Sequence, residues 1–331
     1  MRIRLDQRLE LIYAIMLLSG HDASGICVEA EDEFAQATRQ KFGRLAAHPA
    51  VASFNRLWKT EIEWDTLPNL ALILTAAFRL DPVSDPARVQ ECLASGDDLE
   101  EFTACLRDFF RTAGFAGYFG WLRSRLGPWL GQLNELIGRR PVQRILEAYL
   151  GVDLPPTEVL LCTLTKPFLS ITISGKRGET VFCLCSRRGL EIAEKNGNLE
   201  RVLLSAVWHE FSHHVINPLT YGLFEDIDSI NDAQADWCCA LNESIIWAIN
   251  IRLLVREKII STKDIGWMLN NAEANRAPHT RKMHEMLLDY ELNRDKYPNI
   301  AGFHPQLAEA GGPPPDYDPL KGTQRSVAVK A

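Results

Sequence analysis

The chain has 331 residues, with 36 Lys and Arg against 43 Asp and Glu for a formal net charge of −7, and is 46% hydrophobic and 24% charged. That length fits one large or two ordinary domains, and the balance is that of a globular chain rather than a disordered or fibrous one. The acidic excess argues against nucleic acid or an anionic membrane as partner.

In chain order, helical periodicity runs through 8–18, 31–47, 50–59, 67–79, 97–112 and 119–150, broken by Pro and Gly. The first segment imitates the core of a signal peptide, but Glu10 interrupts it, no small-residue cleavage site follows in Ser19-Gly20-His21-Asp22, and no run approaches 18 apolar residues. From about 155 the pattern changes to short β runs at 157–164, 168–173 and 181–185, with Ser174 to Gly178 as a hairpin turn. Of these, 181–185 is the segment expected at the sheet edge, where a strand can pair with an extended peptide through main-chain hydrogen bonds. Cysteines at 27, 92, 105, 162, 183, 185, 238 and 239 lack repeated C-x-x-C spacing. They read as free thiols of a reducing compartment, the cytoplasm, with Cys183 and Cys185 on one face of a strand.

The next helix carries His209-Glu210-Phe211-Ser212-His213, the pattern H-E-x-x-H, inside an apolar run from Leu199 to Ile216 that follows the turn Asn196-Gly197-Asn198. Residues four apart share a helix face, so His209 and His213 can aim two imidazoles at one zinc ion. Glu210 lies where it can act as general base on a water without binding the metal. Catalytic zinc takes three protein ligands and keeps a fourth position open.

The third ligand must come from downstream. The zincin class that uses a third His six residues after the second is excluded, because Ile216 and Leu219 stand where its Gly and His belong. A second class takes a Glu from the following helix, and Glu243 of Asn242-Glu243-Ser244 fits, a carboxylate on an otherwise apolar segment. Asp236 and Asp232 share its stripe and are the alternatives, either as ligand or as hydrogen-bond acceptors for a ligand imidazole. His214 points about 100° away from His213 and reads as a packing or polar residue. Helices at 262–275 and 279–294 follow, and the tail from Gly311, with its Pro313-Pro314-Pro315 run, reads as disordered.

The zinc motif with Asn217-Pro218, the Asn242-Glu243-Ser244 triplet, the opening Asp6-Gln7-Arg8-Leu9-Glu10-Leu11 and the closing Tyr290-Glu291-Leu292-Asn293-Arg294 resemble an uncharacterised bacterial family of gluzincin-like metallopeptidases. The resemblance spans most of the chain. It implies zinc held by His209, His213 and Glu243, with a peptide or protein as substrate and a Tyr or His from the later helices as donor to the oxyanion. Tyr290 is the first candidate for that donor, followed by Tyr221, His279 and His284. The Asp that follows the Glu ligand by four residues in thermolysin is Trp247 here, which favours Asp236 as its substitute. Arg252 and Arg294 are candidates for binding a substrate carboxylate. The G-x-M-E-N signature of aminopeptidases is absent, leaving endopeptidase as the expectation.

The expected fold is α+β and predominantly α: a helical region at 1–152, then a zincin-like domain at 153–310 made of a small sheet and a helical metal site, then the tail at 311–331. The expected function is zinc-dependent amide hydrolysis. The alternative is an inactive zincin scaffold that binds a partner through its helical half.

Overall fold

The computed structural model describes residues 1–20, 25–57, 65–91, 93, 98–176, 178–224 and 230–315. The chain is predominantly helical with one four-stranded sheet, as the hydrophobic patterning predicts. It forms two compact units, Met1–Ala148 with Asp153–His214, and Tyr149–Val152 with Val215–Ala331. The division thus falls inside the motif helix and not at the expected 152/153 boundary. Local pattern could not show this, because the sheet recruits a strand from the extreme N-terminus.

That strand is β1 (Ile3–Leu5), which pairs in parallel with β2 (Thr157–Cys162), Ile3 opposite Val159. β2 pairs in parallel with β4 (Gly178–Ser186), and β3 (Leu169–Gly175) closes an antiparallel hairpin with β4, for a strand order β1-β2-β4-β3. The strand expected at the sheet edge, 181–185, is therefore internal, hydrogen-bonded on both sides. Its burial agrees, since Val181 to Ser186 are all buried. β3 is the edge strand on that side of the sheet, and β1 lies at the other edge.

The helices of the first unit are α1 (Gln7–Ser19), α2 (Glu33–Phe42), α3 (Pro49–Leu57), α4 (Thr66–Leu72), α5 (Ala87–Glu91), α6 (Asp98–Thr112), α7 (Phe115–Gly138), α8 (Val142–Leu150) and α9 (Arg187–Lys195). Two of the helical runs read from periodicity are too long. The 67–79 run stops at Leu72 because Leu74 turns to bridge Leu80, with Phe78 at φ 54°. The 119–150 run splits because Pro141 cannot donate the N–H that would continue α7; Pro141 instead opens α8, where its carbonyl accepts from Ile145.

α1 is buried along most of its length, Glu10 included. The Glu10 carboxyl accepts the backbone N–H of Thr163 at 2.9 Å and also meets the Thr163 hydroxyl. The Thr163 carbonyl in turn accepts from Nε of Arg187 at 3.3 Å. That guanidinium, fully buried, pairs with Asp32 and with Glu191 and lies 4.4 Å from the Phe34 ring centroid. One residue just past β2 therefore joins α1, α9 and the start of α2 through satisfied buried polar groups.

The second unit holds α11 (Asp232–Arg256), α12 (Ile265–Ala274), α13 (Thr280–Leu292) and α14 (Ile300–Ala310). The sequence pattern does not announce α14, which extends ordered structure up to the expected tail. Of that tail, 316–331 lies outside the described residues. α11 is long and apolar enough to cross a membrane by length and composition, yet 67% of that window is buried inside the fold, as in a core helix.

Burial raises the Glu10 carboxyl to about 7, against the opposing pull of the Thr163 hydrogen bonds and the Arg187 charge. An acid whose folded pKa lies above its unfolded value favours folding fully below the unfolded value of 4.5 and loses that contribution as pH rises through about 7. Glu10→Gln should therefore flatten the decline in stability between these limits and be the more stable chain at pH 8, by up to about 3 kcal/mol. Urea unfolding at pH 5 and pH 8 checks this; equal pH dependence in both chains contradicts it.

Candidate metal centre

The motif lies on α10 (Leu199–Tyr221). Its start is fixed by the preceding turn. Gly197 takes the left-handed conformation at φ 69°, and the Asn198 N–H reaches back to the Ala193 carbonyl at 2.7 Å, closing α9 as Asn198 opens α10. Leu203, Leu204, Val207, Trp208, Phe211 and Ile216 are buried, and the Trp208 indole donates to the Val142 carbonyl at 3.0 Å. A helix held on so many sides has little freedom to rotate about its axis.

On this helix the His209 and His213 rings stand with centroids 4.9 Å apart and planes at 74°. One ligand atom from each, with one carboxylate oxygen of Glu243, forms a group in which all lie within 4.8 Å of one another. Among the described residues this is the group of His, Cys, Asp and Glu that could hold a metal ion. Donor atoms at zinc distances of about 2.1 Å in tetrahedral array stand roughly 3.4 Å apart, inside the 4.8 Å limit on these three, and two imidazoles with a carboxylate are a donor set whose chemistry suits zinc. Glu210 is outside the group and buried at 7% exposure. Burial, then the neighbouring Cys185, then the Glu210 charge push the Cys183 thiol of β4 well above its ordinary value, so Glu210 lies within electrostatic reach of that strand.

The alternatives for third ligand, Asp232 and Asp236, are both exposed, and both stand outside the group. His214 contacts the sheet, its Nδ1 3.3 Å from the Thr172 hydroxyl and its Nε2 3.8 Å from Glu179, in line with a polar packing role. Cys183 and Cys185 share a face as expected, with Sγ atoms 3.7 Å apart.

Tyr290 is not placed as the expected oxyanion donor. Its side chain is fully buried, burial pushes the phenol up to about 12, and its hydroxyl hydrogen is shared between the carbonyls of Tyr149 at 2.9 Å and Leu150 at 3.1 Å. A donor committed to main-chain acceptors in the core is an anchor for α13, not a group waiting for an oxyanion. Arg252 and Arg294 are likewise engaged. Arg252 pairs with Glu291, which also accepts the Tyr149 hydroxyl at 2.9 Å, while Arg294 donates to the Tyr149 and Pro298 carbonyls and stacks on Tyr290. His284 is buried and held down to about 4 by burial and by Arg252.

Two of the other candidates adjoin the turn that carries Glu243. The Ser244 hydroxyl accepts the backbone N–H of His279 at 3.1 Å, and the Tyr221 hydroxyl bonds to the thiol of Cys239, one helical turn before Glu243. In the sequence both stand behind Tyr290, because the partners of a buried phenol, some 140 residues away, leave no local mark.

Tyr290→Phe should cost about 1–3 kcal/mol of stability by leaving buried carbonyls without their donor, with bound metal unchanged. Urea unfolding alongside elemental analysis checks both. Loss of metal, or no change in stability, contradicts the anchoring role.

No curated protein and no solved structure matches the chain. A family model described as "Domain of unknown function (DUF4932)" matches residues 1–310. The match takes in the helices, the sheet and all three residues of the metal group, and the chain belongs to that family.

Proposed function

We propose that the chain is a zinc-dependent hydrolase of the gluzincin kind, acting on amide bonds of peptides or proteins. The observation that carries this reading is the convergence of His209, His213 and Glu243 on one point, with Glu210 beside two of them on a fixed helix. A zinc ion held there would lower the pKa of a water to about 7 and polarise a substrate carbonyl.

The chain's own residues account for the rest of the reaction. Glu210, buried and adjacent to His209, takes a proton from the attacking water and returns it to the departing amine. A low-dielectric setting strengthens that exchange, and Phe211 and Ser212 next to it are also buried. The donor to the developing oxyanion is assigned to Tyr221 or His279, because both adjoin the turn of Glu243. β3 runs beside the motif helix, touching it where Thr172 meets His214. An edge strand so placed can hold an extended peptide through main-chain hydrogen bonds, which tolerate many sequences.

The cytoplasm suits the seven free thiols among the described residues.

Glu210→Gln should retain about one zinc per chain and hydrolyse a mixed-sequence peptide library about 10²- to 10⁴-fold more slowly than the wild type. Mass spectrometry of the products reads the second quantity. Zinc lost with the substitution, or hydrolysis unaltered by it, would falsify the general-base role.

A further inference from the structure

We propose that residues 83–85 form an end-stop on the peptide-binding edge of β3, so that the site takes short peptides or chain termini rather than internal segments of a long chain. The inference rests on the peptidase reading above. It adds a limit on substrate length and names the residues that set it.

Alternate residues of a strand turn their N–H and C=O groups to the same side. In β3 the pairs with β4 include Gly175 with Gly178, Ile173 with Thr180 and Ile171 with Phe182. Ser174 faces outward, since its carbonyl accepts the Asp85 N–H at 2.9 Å. By the same alternation Thr172 and Ser170 also turn their peptide groups outward, and among the described residues no strand pairs with them there. Among the described residues the outer edge of β3 is therefore unpaired by any strand at Ser170 and Thr172 and closed at Ser174.

The closure is firmly built. Ser84 bridges Gly175, and the Lys176 N–H donates to the Val83 carbonyl at 2.8 Å. Asp81 braces the segment from behind, its side chain accepting from Val83 at 3.1 Å and its carbonyl from Ser84 at 3.1 Å. The approach is so close that a Cβ at Gly175 would stand 2.2 Å from the Val83 carbonyl oxygen. Only glycine admits the bracket at that distance.

The position of this bracket gives it consequence. Thr172 is where the edge strand touches the motif helix, through His214, the neighbour of His213. Ser174 is two residues on, about 7 Å along the strand. An extended chain lying on Ser170 and Thr172 beside the motif helix meets the 83–85 segment within about two residues and can run no further along the sheet. Long chains would have to leave the edge there, whereas a short peptide or a terminus fits inside the limit.

Gly175→Ala tests the stop, because the added methyl group forces the Val83 carbonyl away. Asp85→Pro, which deletes the N–H that holds Ser174, is the second variant. Both are placed in a Glu210→Gln background so that binding is read without turnover, using mixed-sequence libraries of tetrapeptides and of hexadecapeptides. Amide exchange at Ser170 and Thr172 reports occupancy of the edge. The expected result is slowed exchange with either library, with affinities alike within about threefold before the bracket is opened and hexadecapeptides gaining about tenfold in either variant. Hexadecapeptides already binding about tenfold more tightly with the bracket intact, or no slowing at either amide, overturns the proposal. Zinc analysis of the same samples keeps the two readings apart: an edge that shows the length limit in a chain without zinc sustains the end-stop while the hydrolase reading fails.

Discussion

Everything at the metal group follows from the immobility of α10. Two imidazoles four residues apart can meet a single ion only if their helix face is held towards it, and this face is held by burial nearly all the way round. Leu203, Val207, Phe211 and Ile216 anchor the helix by apolar contact, while the Trp208 indole bonds to Val142. Glu210 is buried on this helix as well, and a buried carboxylate costs free energy unless its partners compensate it.

The sheet serves the same helix from the other side of the sequence. Thr163 gathers Glu10, Arg187 and, through that guanidinium, Asp32 and Glu191 into one buried network. This fixes α1 against the sheet and sets the position of α9, whose end leads directly through Gly197 into α10. Order therefore passes from the N-terminal helix to the sheet and from the sheet to the motif. Nearly all of the 1–152 segment belongs to the same compact unit as the sheet and cannot be treated as an appendage, because β1 completes that sheet.

What is legible in the sequence follows from the range of the interactions involved. The motif helix, its N-terminal turn and the Glu243 helix announce themselves locally: H-E-x-x-H has a fixed spacing, and a carboxylate on an apolar segment stands out against its neighbours. The placement of 181–185 inside the sheet is not legible, since it is set by pairing with β2, more than 20 positions away, and by β1 at the other end of the chain. Glu10 looks in the sequence like a charge interrupting an apolar run. In the fold it is the acceptor for Thr163, 153 residues distant. Tyr290 misleads for a related reason: a phenol has the same appearance in the sequence whether it awaits a substrate or is committed to Tyr149 and Leu150. The segment at 83–85 carries no motif, and its importance comes only from meeting Gly175.

The decisive experiment for the metal site is elemental analysis of purified chains, wild type beside His213→Ala and Glu243→Ala, with Asp236→Ala as control. About one zinc per chain is expected in the wild type and in Asp236→Ala, with zinc lost from both of the others. Zinc retained in Glu243→Ala, or absent from the wild type after incubation with the metal, would show that His209, His213 and Glu243 do not form the site.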